Sequence, residues 1–296
     1  QLKNYDTKKV LIIDPSIIFS SFTGSSADNW GYTATPGPDG SFFAGGIAFG
    51  SGYLTSTGAF QTNYGGGVFE GSLRGHDIAI FKFSPDGARR IYATYLGGSG
   101  NEQPHSMVVD GAGNLVIAGR SSSTNYPVTR PVIGSGGFND IVITKFNAAG
   151  TSLLGSVRIG GSSDDGVNIR AKYKSPFGTD RLRRNYGDDA RSEVIFDAAG
   201  NIILASCTQS ANFPVKDPSN SAQARFGGGL QDGVVLKFNS NFSNYLYGTF
   251  FGGSGDDACF VASISPNTNT IFIAGGTTSN NLPGNKTGVI YSGYRG

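Results

Sequence analysis

The chain has 296 residues, of which 46 are glycine and only 15% are charged, with a formal net charge of +2. A glycine share about twice the usual 7%, beside a normal apolar content, excludes a disordered chain, a collagen triple helix and a long coiled coil. Near-neutral charge gives no general attraction to nucleic acid or anionic membrane, and no apolar run reaches the ~18 residues of a membrane-spanning helix.

The chain opens on a polar stretch, Gln1-Leu2-Lys3-Asn4-Tyr5-Asp6, which lacks the apolar core of a signal peptide. A mature or excised chain is expected to begin this way. A first apolar run, Val10–Asp14, leads to Ser20-Ser21-Phe22-Thr23-Gly24-Ser25, and the same order then returns in clearer form. Asp77-Ile78-Ala79-Ile80-Phe81-Lys82-Phe83 is followed by Asp140-Ile141-Val142-Ile143-Thr144-Lys145-Phe146 and Asp232-Gly233-Val234-Val235-Leu236-Lys237-Phe238. After each comes a turn and a second apolar run ending in a glycine pair, at Gly97-Gly98, Gly160-Gly161 and Gly252-Gly253.

Asp77 and Asp140 stand 63 residues apart, and Asp232 lies 92 beyond, so the third unit is about 29 residues longer. Four units follow, approximately 1–76, 77–139, 140–231 and 232–296, with insertions near 65–76 and 168–190. The second unit shows four short strand-like runs, at 78–83, 91–96, 106–110 and 115–119, rich in β-branched and aromatic residues. Between them stand strong turn signals, Ser84-Pro85-Asp86-Gly87 and Asp110-Gly111-Ala112-Gly113-Asn114. No amphipathic helical period is present. Repeats of about 63 residues with four short antiparallel strands predict an all-β fold, a β-propeller with four units visible, expected to belong to a larger ring.

Residues that carry chemistry are few. The two histidines, His76 and His105, fall in different units, and the position matching His105 holds Phe260. No nucleophile elbow, phosphate loop or metal-ligand spacing occurs, so neither catalytic residue nor cofactor nor metal site is expected. Cys207 and Cys259 read as small buried side chains. Acidic or amide pairs follow the glycine-rich turn in every unit: Asp28-Asn29, Asn101-Glu102, Asp164-Asp165 and Asp256-Asp257. They suit either a hard cation such as calcium or hydrogen bonds to turn N–H groups, and their recurrence favours the structural role.

The third-unit insertion is the most individual segment. Six of the 23 basic residues lie within 170–184, namely Arg170, Lys172, Lys174, Arg181, Arg183 and Arg184, interleaved with Tyr173, Phe177 and Tyr186. Basic and aromatic side chains together suit an anionic polymer through ion pairing and stacking. The candidate partner-binding residues are therefore Arg170, Lys172, Tyr173, Lys174, Arg181, Arg183, Arg184 and Tyr186. The expected geometry packs the aromatic residues and turns the arginines outward, whereas a loop that neutralises itself with Asp180, Asp188 and Asp189 would be only a cover.

The run Ile91-Tyr92-Ala93-Thr94-Tyr95-Leu96-Gly97-Gly98-Ser99-Gly100-Asn101-Glu102 resembles the signature of the SBBP bacterial β-propeller repeat, as does Tyr247 through Asp257. A later motif fits too, in Ser122-Ser123-Thr124-Asn125-Tyr126-Pro127 and Ser210-Ala211-Asn212-Phe213-Pro214. The resemblance implies a module of a large secreted bacterial surface protein, similar to Bacteroidota proteins exported by type IX secretion and tied to gliding or adhesion. The expected function is a non-catalytic, extracellular scaffold or adhesion module at the cell surface. Its partners would be a surface protein or an acidic polysaccharide, without nucleic acid or membrane span. The alternative is a lectin-like or polysaccharide-acting propeller; blade-repeated aromatic positions would mark a lectin.

Overall fold

The computed structural model describes residues 17–69, 74–169 and 191–293, and among these the chain forms fifteen β-strands and no α-helix. The first sheet joins β1 (Asn29–Pro36), β2 (Phe42–Ala48), β3 (Asp77–Phe83) and β4 (Arg90–Leu96) in sequence order, each pair antiparallel. The second joins β5 (Glu102–Val109), β6 (Leu115–Ser121), β8 (Asp140–Phe146) and β9 (Leu153–Gly160), with the short β7 (Ile133–Gly134) added parallel to β9. The third consists of β10 (Glu193–Phe196), β11 (Ile202–Thr208), β12 (Asp232–Phe238) and β13 (Tyr245–Phe251). A hairpin of β14 (Asp257–Ile264) and β15 (Ile271–Thr277) begins a fourth.

The predicted strands are present, but the sheets run out of phase with the sequence units. β3 and β4 pair with β1 and β2, while β5 and β6 pair with β8 and β9. The break between sheets therefore falls at the glycine pair, and a unit such as 77–139 contributes half to each of two neighbours. Of the first unit, Val10–Asp14 lies outside the described residues, and 20–25 forms no strand.

Successive sheets stack face to face, which explains strands that are apolar on both sides rather than alternating. Every residue of Asp140–Phe146 is buried. Ile78, Ile80, Leu115, Ile117 and Val142 fill the space between the first and second sheets. Ile141, Ile143, Ile159, Val234 and Leu236 fill that between the second and third. Ile203, Val235, Cys259 and Ile273 lie between the third and fourth. No hydrophobic cluster of the described residues joins the first sheet to the last, so the sheets form an open series, not a closed ring. The outer face of the fourth is correspondingly bare. Phe272 is 59% exposed, whereas Phe43, Val116 and Ile203 at the same strand position are fully buried. Cys207 and Cys259 are both buried and unbridged.

Candidate functional site

Each complete sheet has two ends of opposite electrostatic design. At one end the hairpin turn between the first two strands carries an aspartate: Asp39, Asp110 or Asp197. Asp110 accepts from the N–H groups of Ala112 and Asn114, both at 2.9 Å. Asp197 accepts likewise from Ala199 and Asn201. The lysine of each third strand reaches across to this carboxylate, Lys82 to Asp39 at 3.3 Å, Lys145 to Asp110 at 2.9 Å and Lys237 to Asp197 at 2.7 Å. This explains the repeated Lys-Phe at the end of the strand motif. Burial raises the Asp197 pKa, but the hydrogen bonds from Lys237 and Asn201 outweigh it and bring it to about 2.

At the other end, where one sheet hands over to the next, two acids meet. The aspartate opening the third strand accepts from the glycine-rich loop before it: Gly65 N–H to Asp77 at 2.6 Å, Gly137 to Asp140 at 3.1 Å and Gly227 to Asp232 at 2.5 Å. The acid opening the next sheet accepts from the glycine pair: Gly98 N–H to Glu102 at 3.1 Å, Gly161 to Asp165 at 2.7 Å and Gly253 to Asp257 at 2.6 Å. Hydroxyls complete the second acid, from Ser121 and Ser123 on Glu102, Thr208 and Ser210 on Asp165, and Ser279 on Asp257. The corner hydrogen bonds expected of the acidic pairs are thus in place. Among the described residues, no group of three His, Cys, Asp or Glu side chains converges as a metal site.

Glycine at 97, 160 and 252 is required by close approach. A Cβ at Gly97 would stand 2.8 Å from Asp77 Oδ1 and collide with Glu102. At Gly160 it would collide with Asp140 and stand 2.8 Å from Asp165 Oδ2; at Gly252 it would press on Asp232 and Asp257. The two carboxyl groups of each corner therefore crowd the same glycine. Burial pushes Asp77 up to about 8, with Glu102 adding to the rise. It pushes Asp165 to about 7, helped by Asp140, and Asp232 to about 7, helped by Asp257. Among the described residues, only the second corner holds a cation: Arg158 Nε lies 3.4 Å from Asp140 Oδ2. Tyr95 and Phe250 occupy the register position of Arg158 in the other two sheets.

The innermost strands carry the remaining polar residues. His105 sits at a bulge in β5, between Pro104 and Ser106, and its Nδ1 lies 2.9 Å from Ser192 Oγ, which bonds onward to Ser206. Burial drives the His105 pKa down to about 3, with Arg120 assisting, so the ring is neutral. His76 is packed against the Phe49 ring. Both histidines are packed within the fold, His105 on the hydroxyl of Ser192 and His76 on an aromatic ring. Neighbouring inner strands are tied together by Ser106 on the Val194 N–H and by Glu193 on that of Ala262.

The loops at the corner end expose an apolar residue at a matching place in each of the three sheets, Val68 at 62%, Phe138 at 75% and Leu230 at 56%, and in the first loop Phe69 is exposed beside Val68. The three matching residues each follow a glycine pair, and two are fixed through their backbone: Val68 N–H on Asn101 Oδ1 at 3.1 Å and Leu230 N–H on Asp256 Oδ1 at 2.7 Å. The sequence reading missed this repeated position. Its only local signal was Gly-Gly followed by an apolar residue shortly before the strand-opening Asp. The candidate binding residues Arg170, Lys172, Tyr173, Lys174, Arg181, Arg183, Arg184 and Tyr186 lie outside the described residues.

No helix of the described residues is long and apolar enough to cross a membrane. No curated protein matches the chain. Residues 91–127 match the family model of the SBBP beta-propeller repeat, a stretch running from β4 through the Gly97-Gly98 corner and β6 to Pro127. The fold is a β-propeller repeat array in which residues 91–127 are similar to the SBBP repeat.

Proposed function

We propose that the chain is a non-catalytic interaction module that presents the corner end of its sheets to a protein partner, within an extracellular, adhesive bacterial surface protein. One observation carries this reading: Val68, Phe138 and Leu230 recur at the same place in three sheets and project apolar side chains from glycine-rich loops. An apolar side chain held largely in water gains nothing for folding, whereas burial against a partner stabilises by about 1.5–3 kcal/mol for a side chain of this size. Type IX export and a gliding role rest on the sequence resemblance alone. An acidic polysaccharide, held by the 170–186 cations, is the rival partner.

The test uses the whole chain and a triple variant, Val68→Ser, Phe138→Ser and Leu230→Ser, presented to surface proteins of the producing cells and to an array of acidic glycans. The reading expects a saturable protein partner lost with the triple variant. It is overturned by binding indifferent to that variant, or by glycan binding abolished when Arg181, Arg183 and Arg184 are reversed to Glu.

A further inference from the structure

Two of the three corners bury a pair of carboxyl groups against one glycine, and among the described residues no cation forms an ion pair with them. Asp77, Glu102, Asp232 and Asp257 are each almost fully buried. Asp77 Oδ1, Asp232 Oδ1 and Asp257 Oδ1 are screened from solvent yet meet no hydrogen-bond partner. Asp77 Oδ1 and Glu102 crowd the same face of Gly97, and Asp232 Oδ1 with Asp257 Oδ2 that of Gly252, so the unpartnered oxygens of Asp77 and Asp232 point into the pair. Two buried like charges this close cannot both persist, because each carries a desolvation penalty and repels the other. A calcium ion would need six to eight oxygens, and the second oxygens of these acids are already taken by glycine N–H groups and serine hydroxyls. A single proton on one carboxyl resolves the clash by converting an acceptor into an O–H donor toward its neighbour.

We propose that the Asp77/Glu102 and Asp232/Asp257 corners each hold one shared proton as a structural component, and that its loss as pH rises loosens the glycine-rich loops bearing Val68 and Leu230. The loops are coupled to the pairs directly, since Asp77 and Asp232 hold them through Gly65 and Gly227. The Asp140/Asp165 corner differs in one respect: Asp165 is also raised to about 7, but Arg158 stands beside Asp140, so the carboxylate that holds the loop through Gly137 keeps its countercharge when that proton leaves.

Other ionisable groups border these carboxyls. Tyr64, Tyr95 and Tyr126 border the first corner, and burial raises the pKa of each. Cys259 borders the third, its thiol pushed up to about 12 by burial and by Asp257 and Asp232. His76, next to Asp77, packs on Phe49 and directs its Nδ1 to the Arg74 carbonyl.

The sign follows from linkage. A carboxyl whose folded pKa is raised keeps its proton in the folded state while the unfolded chain has lost it. Stability is therefore greatest below the unfolded pKa near 4 and declines until the folded pKa, about 8 for Asp77 and about 7 for Asp232, is passed. Buried neutral His105 has the opposite slope below pH 6.5, so the readout lies above that value.

The decisive experiment measures urea unfolding of the full chain from pH 6.5 to 8.5, for the unaltered protein and for Asp77→Asn with Asp232→Asn, whose amides imitate the protonated acid. The unfolding constant of the unaltered protein should rise about tenfold per pH unit for each proton still held. The double variant should flatten that rise. Hydrogen-exchange protection should fall with pH at Gly65 and Gly227 and hold at Gly137; this arm needs no variant and decides the matter if the double variant fails to fold. A flat profile, equal loss at all three glycines, or rescue at pH 8.5 by added calcium would overturn the shared proton.

Discussion

The two ends of each sheet use aspartate for opposite purposes. At the hairpin end Asp197 meets Lys237 and two turn N–H groups and is held ionised, at about 2. At the corner end Asp77 meets Glu102 and one N–H, and burial holds it protonated up to about 8. The side chain is the same; Asp77 lies deeper, and the neighbour differs. A lysine extended along the sheet neutralises one end, and a second acid from the next sheet confronts the other. The hairpin end draws its stability from ionised Asp197, present above an unfolded pKa near 4 and lost as pH falls through about 2. The corner end weakens from pH 4 upward as its protons leave. Stability is thus bounded by different ends in acid and in alkali.

The comparison is broken most severely by filling the corner. Gly252→Ala places a Cβ against the Asp232 carboxyl, whose Cγ stands 2.6 Å from that point. Overpacking of this kind should cost about 1–3 kcal/mol in denaturant unfolding, and a loss under 0.5 kcal/mol would mean that the two acids are not confined there. Removing the acid at the hairpin end has a smaller effect. Asp197→Ala strips the partner from Lys237 and the cap from two turn amides, an expected loss of about 1–2 kcal/mol that fades near pH 2. Asp39→Ala acts at the same position, but its carboxylate is exposed, so the expected loss is about 0–1 kcal/mol and is reduced by salt.

Much of the fold was legible because its determinants are local. A seven-residue apolar run opened by Asp and closed by Lys-Phe is a strand, and Asp110-Gly111-Ala112-Gly113-Asn114 is a turn whichever sheet it joins. The acids after the glycine pairs were also visible, and their recurrence pointed to the corner. The pairing of Asp77 with Glu102 was not, since nothing in the intervening residues reveals that a sheet ends at Gly97-Gly98 and sends the chain back past its own third strand. Arg158 escaped notice for the same reason: its meaning depends on Asp140, its diagonal neighbour across the β8–β9 pair. Val68, Phe138 and Leu230 were masked by loops that the insertion before Asp77 spaces unequally. The basic segment drew attention by composition, a signal that identifies charge without fixing where it sits.

The most direct measurement is a carboxyl-carbon NMR titration of the full chain, following Asp77, Asp165 and Asp232 beside Asp39 and Asp197. The corner acids should titrate near 7–8 and the hairpin acids near 2, with Asp77 the highest. All five titrating together between about 3 and 5, the range of ordinary exposed carboxylates, would contradict the opposition of the two ends.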